Sequence, residues 1–159
     1  DSPPERGPKV REDFKLFYPD GYKHVLSDPV LPMGDASAIV LFASIGRMRH
    51  GSENGNAITV AAPFLASWFA LSPWLGAYCD SINDDRTRAA IIPLFSWAVA
   101  IPAGCALRGV VQGKMPSLPF WMIAMGATGL LLEGWRIAYY QIQYQIERDR
   151  KAQESEAAI

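Results

Sequence analysis

Three ionisable residues stand inside or beside stretches that are otherwise apolar: Asp35, Glu133 and Arg136. Charged groups inside a membrane-length apolar segment are costly and usually pair with one another. Glu133 and Arg136 are i,i+3 neighbours on one helix, and Asp35 approaches the same end of the structure from much earlier in the chain. The expected arrangement is a local ion-pair cluster in one half of the membrane, with Arg136 bridging to Glu133 or Asp35. Two roles are open to such a cluster. It can be a clamp that fixes helix packing, or part of a proton or ion path. One cluster in one leaflet is not a relay across a membrane, which favours the clamp.

The tryptophans are the second feature. Trp74, Trp121 and Trp135 fall near the ends of apolar runs, where membrane Trp is enriched. Trp68 and Trp97 fall near the middle, where an indole wants a hydrogen-bond partner and a flat contact. Packing between helices is the plain reading. A pigment such as a chlorophyll or carotenoid against Trp68 and Trp97 is the sharper one. His50 follows the first apolar run and could ligate the magnesium of a chlorophyll, although a headgroup-facing imidazole explains it equally simply. His24 has no ligand companion at usable spacing, so no metal site is expected. Ser44 and Ser67 have no base nearby in sequence, and no G-x-S-x-G, C-x-x-C, H-E-x-x-H or phosphate-binding glycine loop occurs. An enzyme is not expected. Two cysteines make no disulfide framework, and Cys79 and Cys105 should lie near opposite faces.

The elements that must position these groups are helices. Ala57 to Cys79 contains no Asp, Glu, Lys or Arg, and neither does Ala89 to Leu107; Ser117 to Leu132 is free of them until Glu133. At ~1.5 Å per residue, runs of ~20 residues cross a ~30 Å hydrocarbon core. A fourth segment, 31–49, is long enough if Asp35 sits near its N-terminus, where the helix dipole favours an anion, and Arg47 and Arg49 reach the interface. The expected fold is all-α: a polytopic membrane protein with four transmembrane helices, at about 31–49, 58–79, 88–109 and 117–140. A polar, extended N-terminal arm (1–30) precedes them, and a polar helical C-terminal tail (141–159) follows. Pro3, Pro4 and Pro8 bias the arm to extended forms. Residues 52–56 and 80–88 are polar loops. Small residues at i,i+4 spacing mark close-packing ridges: Ala62, Ala66 and Ala70 in the second span, and Ser96, Ala100 and Gly104 in the third.

Half of the residues are hydrophobic, yet the mean hydropathy is only +0.04, because the polar ends dilute the average. The net charge of −1 argues against a nucleic-acid footprint. With four spans both termini share a side with Lys15, Lys23, Arg86, Arg88, Arg136, Arg148, Arg150 and Lys151. The positive-inside rule then places them on the cytoplasmic or stromal face. The chain begins at Asp1 rather than Met, as a chain with its targeting segment removed or a numbered fragment would.

Gly34-Asp35-Ala36, then Phe42-Ala43-Ser44-Ile45-Gly46-Arg47 with His50, then Thr59-x-Ala61-x-Pro63-Phe64 with Trp68 resemble an uncharacterised family. Its members are small four-span membrane proteins of actinobacteria, haloarchaea and plastid-bearing eukaryotes. The likeness runs from about Gly34 to Tyr140. It implies a four-helix membrane domain and brings no activity or catalytic residue. The eukaryotic branch fits a plastid protein. By analogy, the expectation is an accessory structural subunit of a larger membrane complex, a thylakoid photosystem I–antenna assembly, with membrane lipid and photosystem or antenna subunits as partners. A small transporter or channel-like protein using Asp35, Glu133 and Arg136 is the alternative.

Overall fold

The computed structural model describes residues 17–50, 56–79 and 86–157, and at His24, Arg49, His50, 86–90 and Ala157 the backbone course alone. The described residues form five helices: α1 (Gly21–Ser27), α2 (Val30–His50), α3 (Ala57–Leu71), α4 (Arg86–Gln112) and α5 (Leu118–Ala157). Helices α2 to α5 make a four-helix bundle in which α2 packs on α3, α3 on α4, α4 on α5 and α5 back on α2. Side-chain contacts fix the direction. Leu31, near the start of α2, meets Trp135 near the middle of α5, and Arg108, late in α4, lies 5.4 Å from the ring of Phe120 at the start of α5.

Each helix has a local cause. Asp28 accepts from the Val30 amide at 3.1 Å and so caps the start of α2. Asn56 does the same for α3 through the Ile58 amide. The apolar faces then meet in one core. Phe42 and Phe64 cross edge-on with ring centres 5.6 Å apart, and Ile39, Trp68, Ala100, Ile101, Cys105 and Leu132 fill the space around them.

The ridge Ser96, Ala100 and Gly104 is buried, as its spacing predicts. A Cβ on Gly104 would press on Ser67 and Phe64, so α3 and α4 meet there with almost nothing between their backbones. The other predicted ridge is turned round. Ala62, Ala66 and Ala70 face outward, because Ala61, Phe64, Ser67 and Trp68 occupy the inner face of α3.

Two expected elements differ. The second segment, read as helical over 58–79, stops at Leu71; residues 72–78 form consecutive turns. Pro73 cannot continue the hydrogen-bond ladder, and Gly76 takes a left-handed φ of +83°. The arm read as extended over 1–30 is partly helical and docked. The Tyr18 amide donates to the Trp74 carbonyl at 2.7 Å, and the Tyr22 hydroxyl donates to the Ala70 carbonyl at 2.7 Å. Gly21 lies so close to the Pro73 carbonyl that any Cβ would collide with it. Residues 1–16 of that arm lie outside the described residues. The C-terminal tail is helical to Ala157, being the continuation of α5, and its residues 141–156 are exposed throughout; residues 158–159 lie outside the described residues.

Two helices are long and apolar enough to cross a membrane, over Val30–Met48 and Ile91–Gln112. A core helix of a soluble protein would be mostly covered by its neighbours. Here only 39% of the first and 33% of the second is buried. The bundle exterior is apolar instead: Leu41 and Ile45 on α2, Ile91 and Leu94 on α4, and Ile123 and Leu130 on α5 are all exposed.

Candidate functional site: a buried ion pair at one end of the bundle

The charge is inside. Asp35 is 0% exposed and Arg136 is 1% exposed. Arg136 grips the carboxylate in a two-bond fork: Nε donates to Oδ1 at 3.1 Å and Nη2 donates to Oδ2 at 2.6 Å. Fork geometry of this kind is the strong form of a carboxylate contact. The remaining guanidinium nitrogen, Nη1, donates to the Ala77 carbonyl at 2.8 Å.

The broken end of α3 completes the site. The Tyr78 hydroxyl donates to Asp35 Oδ2 at 2.5 Å. Trp68 Nε1 points at both oxygens, 2.9 Å from the Tyr78 hydroxyl and 3.2 Å from Asp35 Oδ2. The guanidinium carbon lies 5.6 Å from the Trp68 ring centre and 5.0 Å from that of Tyr78, so two aromatic faces flank the cation. In an unbroken helix Trp68 and Tyr78 would stand ~15 Å apart along the axis. They meet only because Pro73 and Gly76 fold the chain back. Three segments are thus pinned at one point: the start of α2, the turns after α3, and the middle of α5.

A smaller polar knot lies beside it. The Tyr139 hydroxyl donates to Asp28 Oδ2, and Trp135 Nε1 reaches the Leu31 carbonyl at 3.4 Å. Gly34 is the reason Trp135 fits: a Cβ there would overlap the indole. Both contacts hold α5 against the first turns of α2, so they set the depth at which Arg136 meets Asp35.

The sequence-predicted residues divide as follows. Asp35 and Arg136 pair. Glu133 does not join them; its Oε1 is buried and has no hydrogen-bond partner among the described residues. The side chain of Arg136 points into the core with Leu132 and Tyr139, whereas Glu133 lies a step round the helix and is half-buried. Trp68, expected against a pigment, is 0% exposed, and its ring is used on Arg136 and Asp35, which leaves no face for a pigment. Trp97 is half-buried; its Nε1 donates to Thr128 at 3.1 Å and its ring rests on Gly129. The side chain of His50 lies outside the described residues. Tyr78 and the Ala77 carbonyl were not anticipated. The signal for them was the Pro73…Gly76 pair, which ends a helix more often than it decorates one.

Among the described residues no group of three or more His, Cys, Asp or Glu side chains is placed to hold a metal ion. The arrangement is chemically closed. Asp35, Arg136, Trp68 and Tyr78 bond to one another, and each donor atom of the knot has at least one acceptor among the described residues.

These features define an all-helical protein, apolar outside and charged within, in which two helices are long enough to cross a membrane. The chain belongs to the DUF3054 family, a family of proteins of unknown function, which it matches over residues 32–139. That match starts just before Asp35 and ends at Tyr139, so it contains the whole ion-pair site. Neither a curated protein nor a solved structure matches the chain.

Proposed function

We propose that the chain is a four-span membrane protein whose work is contact: an accessory structural subunit of a larger membrane complex. Helices α2 and α4 supply two spans. Helix α3, ~22 Å long by its 15 residues, is the third, short span, and the folded-back turns over 72–78 cover its end. The first half of α5 is the fourth span, and its outer half projects into water. Both ends of the chain then lie on the cytoplasmic or stromal side.

The observation that carries this reading is the inversion of polarity. The outer surface offers lipid and neighbouring subunits an apolar relief of Leu, Ile and Ala, while the ion pair inside is spent on itself. A protein built this way has a stiff shape to present. By analogy with small plastid membrane proteins, the complex is read as a thylakoid photosystem I–antenna assembly, with membrane lipid and photosystem or antenna subunits as its partners. A chlorophyll or carotenoid at an outer edge would be held near His50 or the half-buried Trp97. Gentle detergent solubilisation of source membranes, followed by native gel separation and an absorption spectrum of the band, tests this. Co-migration with chlorophyll-bearing complexes is the expected result; migration as a small colourless species overturns it.

A second reading, a small transporter or channel-like protein, is favoured by one observation: the oxygen of Glu133 that has no partner among the described residues. Reconstituted wild-type protein would then move an ion or solute, and Glu133→Gln would not.

A further inference from the structure

We infer that Glu133 is a protonated carboxyl at the apolar edge of α5, a site that takes up and releases a proton beside the Asp35–Arg136 pair. The inference rests on the membrane-spanning placement above, and it assigns Glu133 a state and a ligand.

Glu133 lies one turn from Leu130 and Ile137, which are 80% and 60% exposed and belong to the apolar exterior. Its carboxyl is half-buried, with Oε1 sealed from solvent and without a hydrogen-bond partner among the described residues. An ionised carboxylate in such a place needs a cation or several donors. The one cation within a turn, Arg136, is engaged: Nε and Nη2 hold Asp35, and Nη1 holds the Ala77 carbonyl. A neutral carboxylic acid removes the requirement.

The other charged and titratable groups facing this end are few. Helix α2 contributes Asp35, whose negative charge opposes a second one nearby. Helix α5 contributes Arg136, Tyr139 and Tyr140, the turns after α3 contribute Tyr78 and Cys79, and Asp28, ahead of α2, accepts from the Tyr139 hydroxyl. Residues 89–104 of α4 contain no titratable side chain. Arg86 and Arg88 begin α4, and their side chains lie outside the described residues; the test therefore includes them.

The full chain in lipid nanodiscs is treated near neutral pH with N,N′-dicyclohexylcarbodiimide, which partitions into hydrocarbon, and separately with a water-soluble carbodiimide plus glycine methyl ester. In the first reaction the carboxyl proton moves to a carbodiimide nitrogen and the carboxyl oxygen bonds to the central carbon. The acyl group then shifts to nitrogen, so the whole reagent is added as a stable N-acylurea and nothing leaves. Peptide mass spectrometry should find this adduct on Glu133, falling as pH is raised, absent from the buried Asp35, and lost in Glu133→Gln.

No adduct on wild-type Glu133 overturns the inference. If the adduct then appears in an Arg86→Gln/Arg88→Gln variant, Glu133 is an ion-paired carboxylate, and the membrane placement stands. Labelling of Glu133 by the water-soluble reagent would put the carboxyl in water, and the membrane placement would fall with the inference.

Discussion

Arg136 and Asp35, 101 positions apart in the chain, are joined by two N–H···O bonds in a pocket that excludes solvent almost completely. The pair ties the last apolar turns of α5 to the first turns of α2. Breaking it from one side leaves the other charge buried and alone. Asp35→Asn should therefore destabilise the bundle by about 3–5 kcal/mol, the usual cost of an uncompensated buried charge. Thermal unfolding in detergent, followed by circular dichroism, reads this directly. Replacing both residues by apolar ones of similar size, Asp35→Leu with Arg136→Met, should recover most of the loss. A double variant as weak as the single would show that the pair does more than hold the helices.

Tyr78 bridges the pair to Trp68, so Tyr78→Phe removes one donor from Asp35 and one acceptor from the indole. The expected cost is about 1–3 kcal/mol, because a buried polar group is left short of a partner. The same change should shift the emission of Trp68, whose N–H loses its nearer acceptor. A variant carrying Trp68 as the sole tryptophan, with and without Tyr78→Phe, isolates that signal. An unmoved emission maximum would contradict the bridging role.

How much of this was legible in the sequence follows from contrast. Asp35 and Arg136 could be picked out because charge is conspicuous in apolar surroundings, and their pairing follows from the cost of leaving either alone. Which acid Arg136 would choose was not legible. Spacing brings Glu133 within i,i+3 on the same helix, but the angular step between them turns Arg136 to the core and Glu133 to the edge. Tyr78 was hidden by an apolar run that looks like one long helix; hydropathy reports what lies in a segment and says nothing of a bend. The Ala62, Ala66 and Ala70 ridge was misread for a related reason. Small residues are compatible with helix contact and with a lipid face alike, and only the bulk of Phe64 and Trp68 on the opposite side decides between them.

Gly34 meets the flat of Trp135 with no room for a side chain. Gly34→Ala should force Trp135 and the adjoining turn of α5 outward, at about 1–3 kcal/mol for overpacking. Because that shift would also stretch the Arg136–Asp35 contact, the loss should fall at the upper end of the range. A compensating Trp135→Leu change should recover stability in the Gly34→Ala background while costing stability in the wild type. Simple additivity of the two changes would mean that they do not touch.

The outer half of α5 offers a separation of fold from association. Residues 146–156 are exposed on every side, and the Arg150–Glu154 contact, 3.8 Å between exposed groups, is of the kind that contributes little. Deleting 146–159 should therefore leave the unfolding temperature of the bundle unchanged to within the ~0.5 kcal/mol typical of surface changes. If the chain works by contact on the stromal or cytoplasmic face, the same deletion should lower co-migration with its complex in native gels, since a rigid helix extending ~20 Å or more beyond the bundle is the longest reach it has. Lost stability would mean that the extension folds back on the bundle. Stability and association both unchanged would move the contact surface to the apolar exterior of α2, α3 and α4, where Ala66→Phe on the outer face of α3 becomes the variant to measure.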